Sequence, residues 1–314
     1  MAAREEGKRL PRLSGSDGMI TSPIVAVVTP FDARGAVDKG ALQGYLALLS
    51  AAGVKTILVN GTTGEFFNMT LRERVAVLEF CRERWPGQVI AHIGAAAIGD
   101  AIDLLGHAQS HTDYVAAISP YFFASPPEEG VCAYFRQLFV QSDLPLLLYN
   151  FPRHAQANIT PSIVSQLAAE FPLLRGVKDS GKDRGITRQF KAVRPEIQVF
   201  VGDDRAGARL SEIGVDGLVT GGGGAVVELP LRIADAVQGD DLEHAHQMQA
   251  DFDQWSDVRR ASPLTEIAFV KAALAARLPG FPPYVRPPLV TATDSQCEEI
   301  RSFLRRKMMP LIHP

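Results

Sequence analysis

The strongest constraint on this chain is an alternation. From about residue 24, short β-branched apolar runs take turns with longer stretches of helical period, and the pattern persists for roughly two hundred residues. Strands are expected at Ile24–Thr29, Thr56–Asn60, Gln88–Ile93, Tyr114–Ile118, Leu146–Asn150, Leu174–Lys178, Gln198–Gly202 and Val215–Thr220. Helices are expected between and after them, at Lys39–Ala52, Leu71–Trp85, Asp100–Ser110, Pro127–Ser142, Pro161–Glu170, Asp183–Val193, Arg205–Ile213 and Glu228–Val237. Eight regular βα units imply a parallel sheet, and so regular a repeat closes more naturally into a (β/α)8 TIM barrel than into an open doubly wound sheet. Pro127 and Pro161 sit where a first helical turn tolerates proline, and Thr160 is placed to cap the helix that Pro161 begins.

The strand signal stops after residue 238, leaving helical stretches near Leu242–Arg260, Leu264–Arg277 and Ser295–Lys307, with a proline-rich piece at Pro279–Pro288. The expected organisation is a flexible leader over 1–19, a catalytic barrel over 20–238 and a C-terminal helical extension over 239–314. A net charge of −3 with no basic stripe argues against a nucleic-acid partner. The longest apolar runs, such as Leu144–Leu148, fall far short of the roughly 20 residues that span a bilayer. The segment Met1–Asp17 is charged and lacks the apolar stretch of a secretory signal, so a cytoplasmic protein is expected. Cys81, Cys132 and Cys297 are widely separated and form no Cys-x-x-Cys pair, which reads as free thiols in a reducing compartment.

Barrel enzymes carry their reactive groups where strands end, because the βα loops there surround one mouth. Three such ends stand out: Gly61-Thr62-Thr63-Gly64-Glu65 after the second strand, Tyr149-Asn150-Phe151-Pro152 after the fifth, and Gly176-Val177-Lys178-Asp179 at the sixth. A lysine ending an apolar strand is drawn into the mouth, where burial disfavours an ammonium; a neutral amine attacks ketones to give imines, whose protonated form acidifies the neighbouring carbon. Taken alone, such a lysine is more often just a solvated strand end. The Gly-Thr-Thr-Gly segment offers backbone amides and two hydroxyls able to hold a carboxylate and relay a proton, or it is simply a tight turn before the helix at Leu71. Tyr149 can give and take a proton through its phenol, or merely pack at the barrel rim.

With these segments in order, the chain resembles the dihydrodipicolinate synthase and N-acetylneuraminate lyase family, the pyruvate-dependent class I aldolases, from about Ile24 to the C-terminal helices. The likeness rests on Val28-Thr29-Pro30-Phe31, Gly61-Thr62-Thr63-Gly64-Glu65, Ser119-Pro120-Tyr121-Phe122, Tyr149-Asn150-Phe151-Pro152, Gly176-Val177-Lys178-Asp179 and Gly202-Asp203-Asp204. It implies Lys178 as the imine-forming residue, Tyr149 as the phenolic acid/base, and Thr62 and Thr63 as the carboxylate-binding and relay pair. Gly61, Phe122, Arg153, His154 and Gly217 are the further expected substrate-binding positions. The resemblance also implies a cofactor-free enzyme, often a homotetramer built from dimers, acting on a small 2-keto acid and an aldehyde.

Two positions depart from the synthases that join pyruvate to aspartate semialdehyde. Phe122 stands where they have a tyrosine of the hydroxyl relay, and His154, with Arg153 beside it, where they have an arginine for the second carboxylate. Histidine lacks arginine's bidentate fork. Phe66, Phe67 and the run Arg286–Pro288 are closer to sugar-acid aldolases. The expected substrate is therefore a 2-keto-3-deoxy sugar acid or another 4-hydroxy-2-keto acid, with dihydrodipicolinate synthesis as the alternative and a non-catalytic keto-acid sensor as the reading from a different class.

Other features carry less. Gly221–Gly224 reads as a phosphate cradle or, better, as close backbone approach. His244 and His246 point to different faces of a helix and cannot share a metal. Asp203 and Asp204 lack companion ligands, so no metal is expected, and Glu65 is expected to cap or pair within its own loop.

Overall fold

The computed structural model describes residues 18–312. Eight parallel strands close into a barrel in sequence order: β1 (Ile24–Ala26), β2 (Thr56–Val59), β3 (Gln88–His92), β4 (Tyr114–Ile118), β5 (Leu146–Asn150), β6 (Leu174–Asp179), β7 (Gln198–Val201) and β8 (Gly217–Thr220). Closure is made by β8 against β1, with Ile24 opposite Val219. Between them run α1 (Lys39–Ala51), α2 (Leu71–Arg84), α3 (Ile98–Ala108), α4 (Glu128–Gln141), the single turn α5 (Pro152–Ala155), α6 (Pro161–Glu170), α7 (Arg184–Val193) and the single turn α8 (Leu210–Ile213). After β8 come α9 (Glu228–Gln238), α10 (Leu242–Ala261), α11 (Glu266–Arg277), α12 (Asp294–Phe303) and α13 (Met309–Ile312).

Two cores follow from the alternation of side chains along each strand. Ile24, Ala26, Leu58, Ile90, Ala116, Leu147, Phe200 and Val219 fill the barrel interior. Val25, Ile57, Val59, Val89, Leu148, Val177 and Val199 face outward into a continuous layer shared with the helices, which Trp255, Phe269 and Ile300 of the C-terminal helices join. Strands buried on both faces read as near-continuous apolar runs, which is why they were visible in the sequence.

Several helix starts have the chemistry expected of them. Thr160 accepts from the Ile163 amide with Pro161 in the first turn, and Thr70 and Glu73 form a reciprocal capping box on α2. Pro127 instead occupies the cap position of α4, one residue outside the helix. The helix expected over Arg205–Ile213 is a 3-10 segment at Asp204–Arg209 followed by α8. There the Gln249 side chain of α10 takes over the backbone, donating to the Asp204 carbonyl and accepting from the Ala208 amide.

The leader expected over 1–19 falls outside the described residues up to Asp17. Gly18 and Met19 are tied to the base of the barrel: the Tyr114 hydroxyl donates to the Gly18 carbonyl and Gln88 Nε2 to the Met19 carbonyl. Ile20 then plugs the interior core.

Candidate active site

Tyr149 and Lys178 are register partners on β5 and β6, as are Asn150 and Asp179 one residue on. Leu147, two residues before Tyr149, lies in the interior core, so Tyr149 and Lys178 face inward and the Asn150–Asp179 pair faces the helices. That outward pair is a brace. Asn150 Nδ2 donates to Asp179 Oδ1 at 2.8 Å, the Ile159 amide donates to Asn150 Oδ1, and the Thr187 hydroxyl donates to Asp179 Oδ2 at 2.6 Å. Two buried polar side chains are thus satisfied by each other and by their loops, which fixes the ends of the two strands that carry Tyr149 and Lys178.

Lys178 is 5 % exposed, and its Nζ lies 3.8 Å from the centroid of the Tyr149 ring. Among the described residues no acceptor or carboxylate engages that amine. The Tyr149 hydroxyl meets Thr62 Oγ1 at 3.3 Å. Behind the phenol, His92 is buried; its Nδ1 pairs with the Asn60 carbonyl, and its Nε2 receives the Ile118 amide. An Nε2 that accepts requires the neutral tautomer with the proton on Nδ1. Burial, then the positive charges of Arg74 and Lys178, push its pKa well below the ordinary imidazole value. His92 is therefore a packing and bracing group, set edge-on to Tyr149 at 5.9 Å between centroids.

The loop after β2 is held from three sides. The Thr29 hydroxyl donates to the Gly64 carbonyl at 2.8 Å. The Gly64 and Phe66 amides bond the Gly61 carbonyl and the Glu65 amide bonds the Thr62 carbonyl, which leaves the Thr62 and Thr63 amides without a protein acceptor among the described residues. Glu65, with φ of 58°, turns its fully buried carboxylate away from the mouth to Lys271 of α11, whose Nζ lies 2.5 Å from Oε1. Lys271 Nζ also donates to the Tyr284 carbonyl at 2.9 Å, and the Arg286 amide donates to Glu65 Oε2. Arg286 in turn pairs with Glu73 of α2, which holds the Glu73 carboxyl down to about 2. Glu65 thus accepts from Asn68 Nδ2 within its own loop, at 3.2 Å, and also pairs far beyond it. The sequence reading did not find Lys271, although a lysine inside the apolar helix Ala268–Leu274, every residue of which is buried, was the signal.

The remaining expected site residues are distributed differently. Gly61 lies buried in the loop beneath the free amides, so close to Leu58 that a Cβ there would stand 2.4 Å from Leu58 Cδ2. Phe122, expected to bind substrate, is 86 % exposed, has φ of 92°, and packs edge-on against Phe123, so within this chain it does not line the space around Lys178. Arg153 and His154 are exposed on α5, where the His154 ring stacks on Phe151 at 3.9 Å, itself stacked on Tyr149. Gly217 is a correction: it opens β8, at the end of the barrel opposite the mouth, and a Cβ there would run into Ser22. A strand reaches the mouth with its last residue, so the glycine that does so is Gly221, packed against the Thr63 side chain. All four glycines of Gly221–Gly224 serve close approach, the space beside Gly222 being filled by the Arg259 guanidinium and that beside Gly224 by the Tyr45 hydroxyl. Arg259 pairs with Asp204 at 2.9 Å, both buried, which gives Asp204 a structural role.

The mouth therefore combines an unpaired amine, a phenol touching a hydroxyl, and a pair of free amides. The sequence profile of the Dihydrodipicolinate synthetase family matches residues 19–307. A 4-hydroxy-tetrahydrodipicolinate synthase of Acidithiobacillus ferrooxidans is 30 % identical over 297 residues, covering 92 % of this chain and 99 % of its own. A probable 2-dehydro-3-deoxy-D-pentonate aldolase of Escherichia coli K12 is 28 % identical, covering 90 % and 95 %. Among solved structures, the Escherichia coli K12 prophage protein YagE, determined in complex with pyruvate, superposes with a TM-score of 0.84 at 24 % identity over 90 % of this chain and 97 % of its own, which establishes the shared barrel. Barrel, strand-end residues and a match over nearly the whole length agree, and the chain belongs to the Dihydrodipicolinate synthetase family, a family of lyases and aldolases.

Proposed function

We propose that this protein is a class I, Schiff-base lyase that cleaves or forms a 2-keto-3-deoxy sugar acid or a related 4-hydroxy-2-keto acid, with pyruvate as the keto-acid product or partner. The observation that carries the reading is the buried, unpaired Lys178 amine beside Tyr149, itself in contact with Thr62. In the cleavage direction the amine adds to the C2 ketone, and loss of water from the carbinolamine gives a protonated imine. Tyr149 gives its phenolic proton to the departing carbinolamine hydroxyl, and the phenolate so formed takes the proton of the C4 hydroxyl as that oxygen becomes a carbonyl; the C3–C4 bond breaks and its electron pair passes into the enamine. Protonation of C3 and hydrolysis of the imine release pyruvate and restore the amine. The free Thr62 and Thr63 amides are oriented for the substrate carboxylate, as backbone nests hold anions, and the Thr62 hydroxyl links phenol and carboxylate for proton relay.

Arg153 and His154 are exposed and the Arg259 guanidinium is committed to Asp204, which favours an aldehyde carrying hydroxyls over one carrying a carboxylate. The relative named as a pentonate aldolase supports the same side. Dihydrodipicolinate synthesis stands as the second reading because the 30 % identical relative bears that name over almost its full length. Assembly as a homotetramer of two dimers and residence in the cytoplasm belong to the proposal; no helix of the described residues is long and apolar enough to cross a membrane.

The test is borohydride reduction with and without pyruvate, followed by peptide mass spectrometry. A pyruvate-dependent adduct on Lys178 is expected; its absence with every 2-keto acid tried overturns the mechanism and leaves a keto-acid sensor. Rates of pyruvate release from 2-keto-3-deoxy sugar acids, set against condensation of pyruvate with aspartate semialdehyde, then separate aldolase from synthase.

A further inference from the structure

On the outside of the barrel, Glu79 of α2 and His107 of α3 face each other, and His111 follows in the turn after α3. Helices return from the mouth toward the base, and His111 lies just before β4 begins, so this cluster stands at the end of the molecule opposite the mouth. His107 and His111 are four residues apart, about one helical turn, and their rings stack at 4.3 Å between centroids. His111 Nδ1 donates to the His107 carbonyl at 3.0 Å, a bond that places its proton on Nδ1 and leaves the Nε2 lone pair free. His107 Nε2 is buried without a hydrogen-bond partner and stands 3.6 Å from Glu79 Oε1, too far for a hydrogen bond. One donor atom from each of the three side chains lies within 4.8 Å of the other two.

We propose that Glu79, His107 and His111 bind one divalent transition-metal ion of the zinc type, clipping α2 to α3. The argument is one of donor chemistry and reach. Two imidazoles and a carboxylate suit zinc, nickel or copper, whereas magnesium and calcium demand oxygen. Bond lengths of about 2.0–2.2 Å around a tetrahedral ion bring donors to roughly 3.3 Å from one another. The present spacing, up to 4.8 Å, closes to that value when a ring turns out of the 17° stack so that the two imidazole lone pairs converge, and Glu79 and the ring of His111 have solvent on one side to allow it. The ion satisfies the one buried nitrogen in the cluster that has no partner, and a water completes the fourth position. Lying outside the barrel, the ion acts on stability and not on the chemistry at Lys178, and it stands whether or not the aldolase reading does.

The experiment uses the full chain without a histidine tag, stripped with chelator and titrated with zinc chloride by calorimetry and by thermal unfolding, with magnesium chloride in parallel. One zinc per chain with micromolar affinity is expected, with a melting temperature that rises with zinc through mass action and does not respond to magnesium. The variant His107→Ala/His111→Ala is expected to weaken binding at least about 100-fold and to abolish the thermal shift, and Glu79→Gln to weaken binding about tenfold. Should the double variant fail to fold, His111→Ala, at a turn position, decides on the same criteria. No binding below millimolar zinc, or unchanged affinity in the histidine variants, overturns the site.

Discussion

The barrel buries two lysines whose surroundings are opposite. Lys271, fully buried in α11, has its ammonium against the Glu65 carboxylate and the Tyr284 carbonyl and lies over the Phe31 ring at 4.2 Å. Lys178, nearly as buried on β6, lies over the face of Tyr149 and, among the described residues, has no hydrogen-bonded or ion-paired partner. Burial, only partly offset by the Glu65 carboxylate, brings the Lys271 pKa down to about 8. A buried charge is tolerated when paired, and an amine left unpaired is available to form a bond. Depth is shared, so partners distinguish the structural Lys271 from Lys178, the lysine proposed to form the imine.

The contrast breaks most visibly at Lys178. Lys178→Ala is expected to reduce turnover and borohydride trapping to background while the urea midpoint falls far less than in Lys271→Ala, because relief of the unpaired buried amine offsets the loss of its packed stem. A fall as large as that of Lys271→Ala would place Lys178 in the structural class. Next, Tyr149→Phe should slow turnover by about 10²- to 10⁴-fold while pyruvate still traps on Lys178, the signature of a proton-transfer group; steady-state rates and mass spectrometry read the two effects separately. Lys271→Ala should do the reverse of Lys178→Ala, lowering stability by about 3–5 kcal/mol as Glu65 loses its counter-charge. Addition of Glu65→Gln should restore part of that loss, and a Lys271→Ala protein as stable as the parent in urea would end the comparison.

The smallest effect lies at the rim of the same network. Arg286 holds the Glu73 carboxyl at about 2, below its ordinary 4.5. A depressed carboxyl contributes stability that is full above 4.5 and is lost as pH falls toward 2. Glu73→Gln should therefore cost about 1 kcal/mol at pH 7, as partly exposed pairs do, and progressively less in acid. Urea unfolding of parent and variant across that range measures it, and a cost independent of pH would assign the effect to packing.

Much of this was legible in the sequence, for identifiable reasons. Strands buried on both faces announce themselves as β-branched runs, and in a barrel the strand ends and the loops that follow them stand at the mouth, which singles out Thr62, Tyr149 and Lys178 as candidates. The same rule, applied strictly, would have kept Gly217 out, since it opens its strand. Phe122 was placed by motif, and motif says nothing of which way a loop residue with φ of 92° turns. The Asp204–Arg209 segment lost its α-helix to Gln249, some forty residues away.

What the sequence by itself determined is therefore the eightfold alternation, the closed barrel it implies and the identity of the residues at the strand ends, because these depend on local period and chain direction. What only the tertiary structure decided is which of those residues have partners. Glu65 and Lys271 meet across 206 positions, Asp204 and Arg259 across 55, and the freedom of the Lys178 amine depends on carboxylates being committed elsewhere. Pairing between distant charges leaves no periodic trace in a chain; it is fixed by packing, and here packing separates the lysine that holds the loop from the one left free to react.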